Sequence, residues 1–225
     1  MFEVKNLCMI YDPDTDEKMY ALKGLDLTLP DKGLIGIIGP SGSGKSTLMY
    51  CLSTLKQPTE GSIIYNGTEL TGISMPEKER VRREEFGFIF QKHYLVPYMG
   101  AVDNVIVAGD QKSRGLERKA EELLLDLGIK EKEFGKKPAR LSGGQCQRVA
   151  IARAMMNDPR VIFADEPTAS LDHDNAFHVM DVLKKYSEER LVLVVTHDKS
   201  ILKNSDRIIE MWDGEIGTPE NGADK

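Results

Sequence analysis

A glycine-rich run at residues 39–46 carries the most specific chemistry in the sequence. It consists of Gly39, Pro40, Ser41, Gly42, Ser43, Gly44, Lys45 and Ser46, and satisfies the pattern G-x-x-x-x-G-K-[ST] in full. Such glycines let backbone N–H groups turn towards phosphate oxygens, while the lysine adds positive charge and the serine hydroxyl can reach Mg²⁺. Because a strand pattern precedes the run and a helix pattern follows it, we interpret it as a nucleotide-phosphate loop rather than a flexible Gly/Ser linker.

Two adjacent carboxylates, Asp165 and Glu166, follow the apolar run 161–164. Ligands of open parallel sheets bind at the carboxyl ends of the strands. We therefore predict that Asp165 reaches the Mg²⁺ shell and that Glu166 polarises the attacking water as a general base. Taken alone, the pair is equally typical of a solvated strand end, and the phosphate loop favours the catalytic interpretation.

The phosphate loop and the two carboxylates can meet only if a sheet brings them together, and the sequence contains several predicted strands. Apolar or alternating runs predict strands at 2–10, 21–29, 34–38, 86–90, 161–164 and 191–196. The pairs Asn66-Gly67 and Asp213-Gly214 predict two hairpins. Helical spacing is found at 47–55, 116–127, 149–155 and 176–183. Strands that alternate with helices predict a parallel sheet.

The predicted fold class is α/β: a P-loop NTPase core with a parallel sheet, an N-terminal antiparallel β subdomain and an inserted helical subdomain. We expect one domain over residues 1–225. Its core takes approximately 1–91 and 159–217, and its helical subdomain takes approximately 92–158. Residues 218–225 form a polar tail.

Composition restricts the function class. The 225 residues carry a net charge of −6, which argues against a nucleic-acid binder. No run approaches the ~20 apolar residues of a membrane span, and no signal-peptide pattern opens the chain. We therefore expect a cytoplasmic protein whose membrane role comes through a partner. The three cysteines are widely spread, which favours reduced thiols over disulfides.

One segment resembles a known family. The run Leu141-Ser142-Gly143-Gly144-Gln145 matches LSGGQ, the signature of the ATP-binding cassette (ABC) ATPases. Residues 164–172 resemble the family's Walker B and D-loop block, and residues 195–198 its switch-histidine strand. Residues 87–91 resemble its Q-loop. These motifs stand in the family's order over nearly the whole chain, from about residue 1 to residue 216.

The resemblance implies an ATPase in which two chains sandwich two ATP molecules and drive a membrane permease encoded separately. It implies that Lys45, Gln91, Glu166 and His197 are catalytic and that Ser46, Gln91 and Asp165 hold Mg²⁺. Ser142 and Asp172 would lie at the dimer interface. The implied ATP-binding set is Tyr11, Gly39, Pro40, Ser41, Gly42, Ser43, Gly44, Lys45, Ser46, Thr47, Ser142, Gly143, Gly144 and Gln145. Tyr20 competes with Tyr11 as the ring that stacks on adenine.

Softer similarities point to the lipoprotein-releasing and macrolide or peptide export group of the family. They are the run 56–61, the block 164–168 and, after the Q-loop, Leu95, Pro97, Val102, Asn104 and Val105. The resemblance therefore implies an exporter of peptides, lipids or drugs, peripheral on the inner face of the membrane. A mechanotransmission subunit, which regulates a cell-wall or signalling membrane protein without transport, is the alternative.

Two further expectations concern this chain in particular. The apolar segment 94–99 is either a core turn or, as we prefer, a partly exposed groove for a membrane subunit. Cys146 follows the signature, which predicts modest sensitivity to thiol reagents; an inert packed cysteine is an equal alternative.

Overall fold

A computed structural model describes residues 1–12, 18–110 and 113–217. The predicted polar tail, 218–225, lies outside the described residues. The strands are β1 (Phe2–Tyr11), β2 (Met19–Leu29), β3 (Gly33–Ile38), β4 (Glu60–Tyr65), β5 (Thr68–Glu69), β6 (Phe86–Ile89), β7 (Val161–Asp165), β8 (Leu191–Val195), β9 (Arg207–Trp212) and β10 (Glu215–Gly217). The α-helices are α1 (Lys45–Leu52), α2 (Met75–Glu85), α3 (Ala101–Ile106), α4 (Leu116–Asp126), α5 (Gly143–Met155) and α6 (His173–Tyr186). Short 3₁₀ turns span Glu131–Glu133, Pro138–Arg140 and Lys199–Leu202.

Within the described ranges, the strands form two sheets. A four-stranded antiparallel sheet has the order β2-β1-β4-β5, and a six-stranded sheet has the order β10-β9-β3-β8-β7-β6. Five strands of the larger sheet run parallel, and β10 closes the edge antiparallel to β9. The carboxyl ends of β3, β7 and β8 therefore lie side by side, which is where ligands of such sheets bind.

The central strands are apolar throughout because both of their faces are covered. Every residue of β7 and β8 is buried. Alternate side chains enter two hydrophobic clusters: Phe163 and Leu193 pack with the antiparallel sheet and α1, whereas Ile162 and Val192 pack with α3 to α6. This two-sided burial explains why these runs do not alternate in polarity.

The predicted α/β fold with parallel and antiparallel sheets is confirmed, as are both hairpins. The boundaries 1–91, 92–158 and 159–217 stay a prediction. Helix α1 begins at Lys45 rather than Thr47, and it ends at Leu52 rather than Leu55.

Helix α2 was missed because it lacks an apolar stripe. Most of its side chains are exposed, and charged residues fill it. Its local signals are a capping box, in which Ser74 and Glu77 hydrogen-bond each other, and a proline in the first turn. These signals were in the sequence and could have identified the helix.

Among the described residues, no helix combines the length and the apolar character that crossing a bilayer requires.

Candidate nucleotide site

The phosphate loop lies between β3 and α1, as predicted, and the surrounding backbone fixes its shape. Gly44 has φ +97°, and a Cβ there would lie 2.4 Å from the Ala21 carbonyl oxygen. Gly39 has φ +152°, and a Cβ there would lie 2.1 Å from the Met211 carbonyl oxygen. Both contacts require glycine. The loop is thus held between β2 and the β9–β10 hairpin.

Lys45 is the buried cation of this loop. Its side chain is only 9% exposed, and its ammonium donates to the carbonyl oxygens of Gly39 (2.9 Å) and Pro40 (2.7 Å). Burial lowers the pKa of Lys45, and the nearby carboxylates of Glu166 and Asp165 only partly offset this. A triphosphate in the loop would supply the compensating negative charge.

Asp165 is the last residue of β7, and both of its carboxylate oxygens accept hydrogen bonds from α1. Its Oδ1 accepts from the Ser46 hydroxyl at 3.1 Å, and its Oδ2 accepts from the Tyr50 hydroxyl at 2.9 Å. Burial and this hydrogen bond raise the pKa of Tyr50 to about 12, so the phenol remains a donor. Tyr50 was not predicted as a site residue, because its partner lies 115 positions away in sequence.

Glu166 follows directly and adopts a left-handed backbone conformation, with φ +49°. Its amide donates to the Val195 carbonyl at 2.9 Å, which ties the end of β7 to the end of β8. This conformation is strained by about 1 kcal/mol for a residue with a side chain. A strained backbone at a strand end is typical of functional sites.

The carboxylate of Glu166 accepts from three donors on the loop after β8. Oε1 accepts from the backbone amide of His197 at 3.1 Å and contacts its Nδ1 at 2.8 Å. Oε2 accepts from the hydroxyl of Thr196 at 3.1 Å. Thr196 is 1% exposed, whereas the His197 side chain is 76% exposed. Thr196 is a second residue that sequence reasoning missed.

These groups line one open pocket of about 600 Å³. Its lining includes Tyr11, Tyr20, Ser41, Gly42, Gly44, Lys45, Ser46, Thr47, Gln91, Asp165, Glu166 and His197. The predicted residues Gly39, Pro40 and Ser43 are not among the described residues that line this pocket. Ser43 is 2% exposed, and its hydroxyl has no hydrogen-bond partner within the described ranges. The part of the loop that lines the pocket is residues 41–42 and 44–46, which include Lys45.

The residues fit a magnesium–nucleotide complex. Mg²⁺ is usually held by one or two protein oxygens, with water and phosphate completing the shell. The paired oxygens of Ser46 and Asp165 lie in the pocket with Gln91, which matches that requirement. No cluster of three or more metal-ligating side chains occurs among the described residues. A metal here would therefore be bound largely through the triphosphate.

Tyr11 and Tyr20 both reach the pocket, but their settings differ. The Tyr11 hydroxyl lies 3.5 Å from Thr47 Oγ1 and accepts from Lys56 Nζ at 2.5 Å. Tyr20 is 46% exposed. Tyr11 is thus the ring that α1 holds next to the phosphate loop.

The signature motif lies elsewhere on the chain. Ser142 caps α5 and forms a capping box with Gln145, whose side-chain amide donates to buried Glu133 at 2.6 Å. Ser142 and Gly143 are exposed, and a Cβ on Gly144 would lie 3.0 Å from Leu171. Of the described residues that line the nucleotide pocket, none belongs to this motif. The phosphate loop and the signature helix tip are therefore separate elements of one chain.

Asp172, predicted at a dimer interface, caps α6. Its carboxylate accepts from the Asn175 amide at 3.0 Å and from the Asn175 side chain at 2.7 Å. These hydrogen bonds lower the pKa of Asp172. The cap gives this residue a structural role that the sequence interpretation had not assigned.

The segment 94–99 is an exposed loop with a buried anchor. Tyr94 and Tyr98 are 66% and 70% exposed. Asn104, which is fully buried, accepts from the Val96 amide at 2.7 Å and donates to the carbonyls of Val96, Met99 and Gly100. Arg153 of α5 donates to the carbonyls of His93 and Tyr94, both at 2.7 Å. The exposed rings argue against a core turn.

A family model described as "ABC transporter" matches residues 22–169. The chain belongs to the ABC transporter family. It is an ATPase cassette, which confirms the resemblance stated from the signature and phosphate-loop motifs.

Relatives with curated names agree with this family. The cassette is 44% identical over 200 residues to the lipoprotein-releasing system ATP-binding protein LolD of Aquifex aeolicus, covering 87% of this chain and 88% of that protein. It is 41% identical over 221 residues to the macrolide export ATP-binding/permease protein MacB of Pasteurella multocida. That match covers 96% of this chain but 34% of MacB, so the cassette spans about a third of the length of that relative. The expected resemblance to the lipoprotein-releasing and macrolide-export group is confirmed.

Solved structures give the same fold. The ATP-binding cassette MJ0796, solved as a dimer in a post-hydrolysis state bound to ADP and Pi, superposes with a TM-score of 0.90. The two chains are 37% identical, and the match covers 97% of each. The uncharacterised ABC transporter ATP-binding protein of that name comes from Methanocaldococcus jannaschii and is 39% identical over 228 residues.

Proposed function

We propose that this cassette closes with a second copy, or with a homologous cassette, around two ATP molecules and thereby drives a membrane permease. The observation that carries this proposal is the separation of two elements suited to bind phosphate: the phosphate loop lines an open pocket, while the Ser142 helix tip of the same chain lies outside that pocket and faces solvent. In a head-to-tail pair, each tip would complete the partner's pocket. The dimeric MJ0796 structures support this arrangement.

The residues of the pocket have distinct roles in this proposal. Lys45 exchanges its two loop carbonyls for the β- and γ-phosphates. Ser46, Asp165 and Gln91 provide the oxygens that hold Mg²⁺, which neutralises phosphate charge when bound. Glu166 orients and deprotonates the attacking water, and His197 lies beside it to contact the γ-phosphate. Asp172 lies at the interface between cassettes.

In the free cassette, Thr196 and His197 hold the carboxylate of Glu166 through three hydrogen bonds. Oε2 accepts only the Thr196 hydrogen bond, and a carboxylate oxygen has two acceptor sites, so water can reach this oxygen without displacing a donor. Hydrolysis would follow the arrival of the γ-phosphate and of the partner's helix tip, because these complete the site around the attacking water. Loss of the γ-phosphate would then weaken the dimer.

A membrane partner would dock on the exposed loop that bears Tyr94 and Tyr98. Arg153 and Asn104 connect this loop to α5 and α3. A displacement of the loop would therefore be transmitted to α5, whose N-cap is Ser142. The relatives LolD and MacB support a permease partner that exports lipids, peptides or drugs, with the cassette bound peripherally at the inner face of the membrane. A separately encoded permease is part of the proposal, whereas MacB is an ATP-binding/permease protein.

The proposal is tested by trapping the ATP-bound pair. Glu166→Gln should bind ATP, lose nearly all turnover and shift from monomer to dimer when ATP is added without Mg²⁺, as measured by light scattering after gel filtration. The control Glu166→Gln/Ser142→Asp should still bind ATP but remain monomeric, since a carboxylate at the helix tip repels the γ-phosphate. A Glu166→Gln protein that stays monomeric at high concentration with ATP bound contradicts the paired mechanism.

A further inference from the structure

Lys56 reaches the nucleotide pocket's edge from the far end of α1. Its backbone amide donates to the Tyr50 carbonyl at 2.9 Å, which places the residue just after the helix. Its ammonium donates to the Tyr11 hydroxyl at 2.5 Å and lies over the ring, 4.1 Å from the centroid. The turn that follows α1 thus places a second cation beside Tyr11 at the edge of the pocket.

Tyr11 separates this cation from the space a nucleotide would occupy. Tyr11 lines the pocket, whereas Lys56 is absent from the described part of that lining. Burial opposes ionisation of the Tyr11 phenol, but the hydrogen bonds with Lys56 and Thr47 outweigh it and lower the pKa of Tyr11. The phenol oxygen is thereby fixed between a cation and a residue of the phosphate loop.

This inference rests on the proposed binding of ATP and adds a residue to it. The geometry points to Lys56 as the positioning residue that holds Tyr11 for stacking against the nucleobase. A ring fixed before the ligand arrives loses less conformational entropy on binding. A cation over one face of a tyrosine is attracted by the ring's quadrupole, so the contact also stabilises the orientation.

Binding of MgATP should be compared with binding of magnesium tripolyphosphate, which has no base, by titration calorimetry. Lys56→Met keeps the aliphatic stem but removes the charge. It should weaken MgATP binding by roughly 3- to 10-fold and change tripolyphosphate binding by less than about 2-fold. The KM for ATP should rise in parallel, with kcat nearly unchanged. Lys56→Arg, which restores a cation over the ring, should recover most of the affinity.

Lys184→Met is the matched control. Like Lys56, Lys184 is half-buried, but it lies outside the pocket, where it pairs with the Asp206 carboxylate at 2.6 Å. This substitution should leave both affinities unchanged. Equal weakening of ATP and tripolyphosphate by Lys56→Met would overturn the inference, and so would no change in either.

Replacing the tyrosines separately gives an independent test. Tyr11→Leu should abolish the preference for ATP over tripolyphosphate, and Tyr20→Leu should preserve it. The reverse result assigns stacking to Tyr20 and overturns the role of Lys56. Wild-type turnover and ATP-driven dimerisation of Glu166→Gln would stand in either case, so failure of this inference is distinguishable from failure of the proposed function.

Discussion

The hydroxyl of Tyr50 donates a 2.9 Å hydrogen bond to Oδ2 of Asp165, so the oxygen that faces away from Ser46 is already occupied. The bond joins the second turn of α1 to the end of β7. It fixes the carboxylate that we propose as a magnesium ligand, in the way that outer hydrogen bonds usually orient metal-binding carboxylates.

Tyr50→Phe should therefore leave the carboxylate of Asp165 less firmly oriented and weaken its interaction with Mg²⁺. We expect the Mg²⁺ concentration at half-maximal ATPase to rise roughly 10-fold, because the ligand loses its outer hydrogen bond. The free energy of unfolding should fall by about 1 kcal/mol. Magnesium titration of ATPase and urea denaturation measure the two effects.

The control for this substitution is Tyr186→Phe. Tyr186 also donates a hydrogen bond, to the Pro159 carbonyl at 3.0 Å, but it lies outside the nucleotide pocket. It should lose similar stability without changing the magnesium dependence. If both variants shift the magnesium curve equally, the role of Tyr50 in orienting Asp165 is wrong.

Thr196→Val should impair the chemical step more than binding. The hydroxyl of Thr196 donates to Glu166 Oε2 and accepts from the Asp198 amide, each at 3.1 Å. Valine keeps the shape but lets Glu166, the proposed general base, move, so kcat should fall roughly 10-fold while the Kd for ATP stays constant. Thr196→Ser should retain most activity. Single-turnover kinetics with unchanged rates in Thr196→Val would contradict this role.

Glu133→Gln should reduce stability in a pH-dependent way. Burial would raise the pKa of Glu133, but hydrogen bonds from the Lys130 amide and Gln145 outweigh it, so the pKa is lowered. A lowered folded-state pKa stabilises the protein above the unfolded glutamate pKa of about 4.3, and the contribution is lost as pH falls further.

The loss should stay below about 1 kcal/mol at pH 7, since solvent screens part of the interaction. Urea denaturation at several pH values should show a constant difference from wild type between about pH 7 and 5, which shrinks below about pH 4. Glu131→Gln, an exposed change in the same 3₁₀ turn, is the control. A difference that grows on acidification would refute the assignment.

Cys146 should resist alkylation in the native protein, which favours the packed alternative over the expected thiol sensitivity. It is 8% exposed, its Sγ lies 3.6 Å from the Pro138 carbonyl oxygen, and burial raises its pKa. Cys8 is only partly buried and should react first. Peptide mass spectrometry after a brief iodoacetamide pulse checks the order, and ATPase should survive the pulse. Rapid modification of Cys146 with loss of ATPase would restore the first expectation.

Sequence reasoning located the parts of the pocket that are contiguous in the chain. The phosphate loop and the carboxylates after β7 could be predicted because glycine spacing and strand ends are local signals. The contacts of Tyr50 and Thr196 could not, since their partners lie 115 and 30 residues away. The proposed choice of Tyr11 over Tyr20 as the stacking ring rests likewise on a distant lysine, Lys56.

The β9–β10 hairpin has a consequence for any dissection of the chain. Its Met211 carbonyl leaves no room for a side chain at Gly39, and the Gly214 amide donates to the Ser43 carbonyl at 3.2 Å. The β9–β10 hairpin thus helps to fix the backbone shape of the phosphate loop. A fragment that stops before Arg207 would keep every residue of the phosphate loop but lose the hairpin contacts that hold the loop in its phosphate-binding shape.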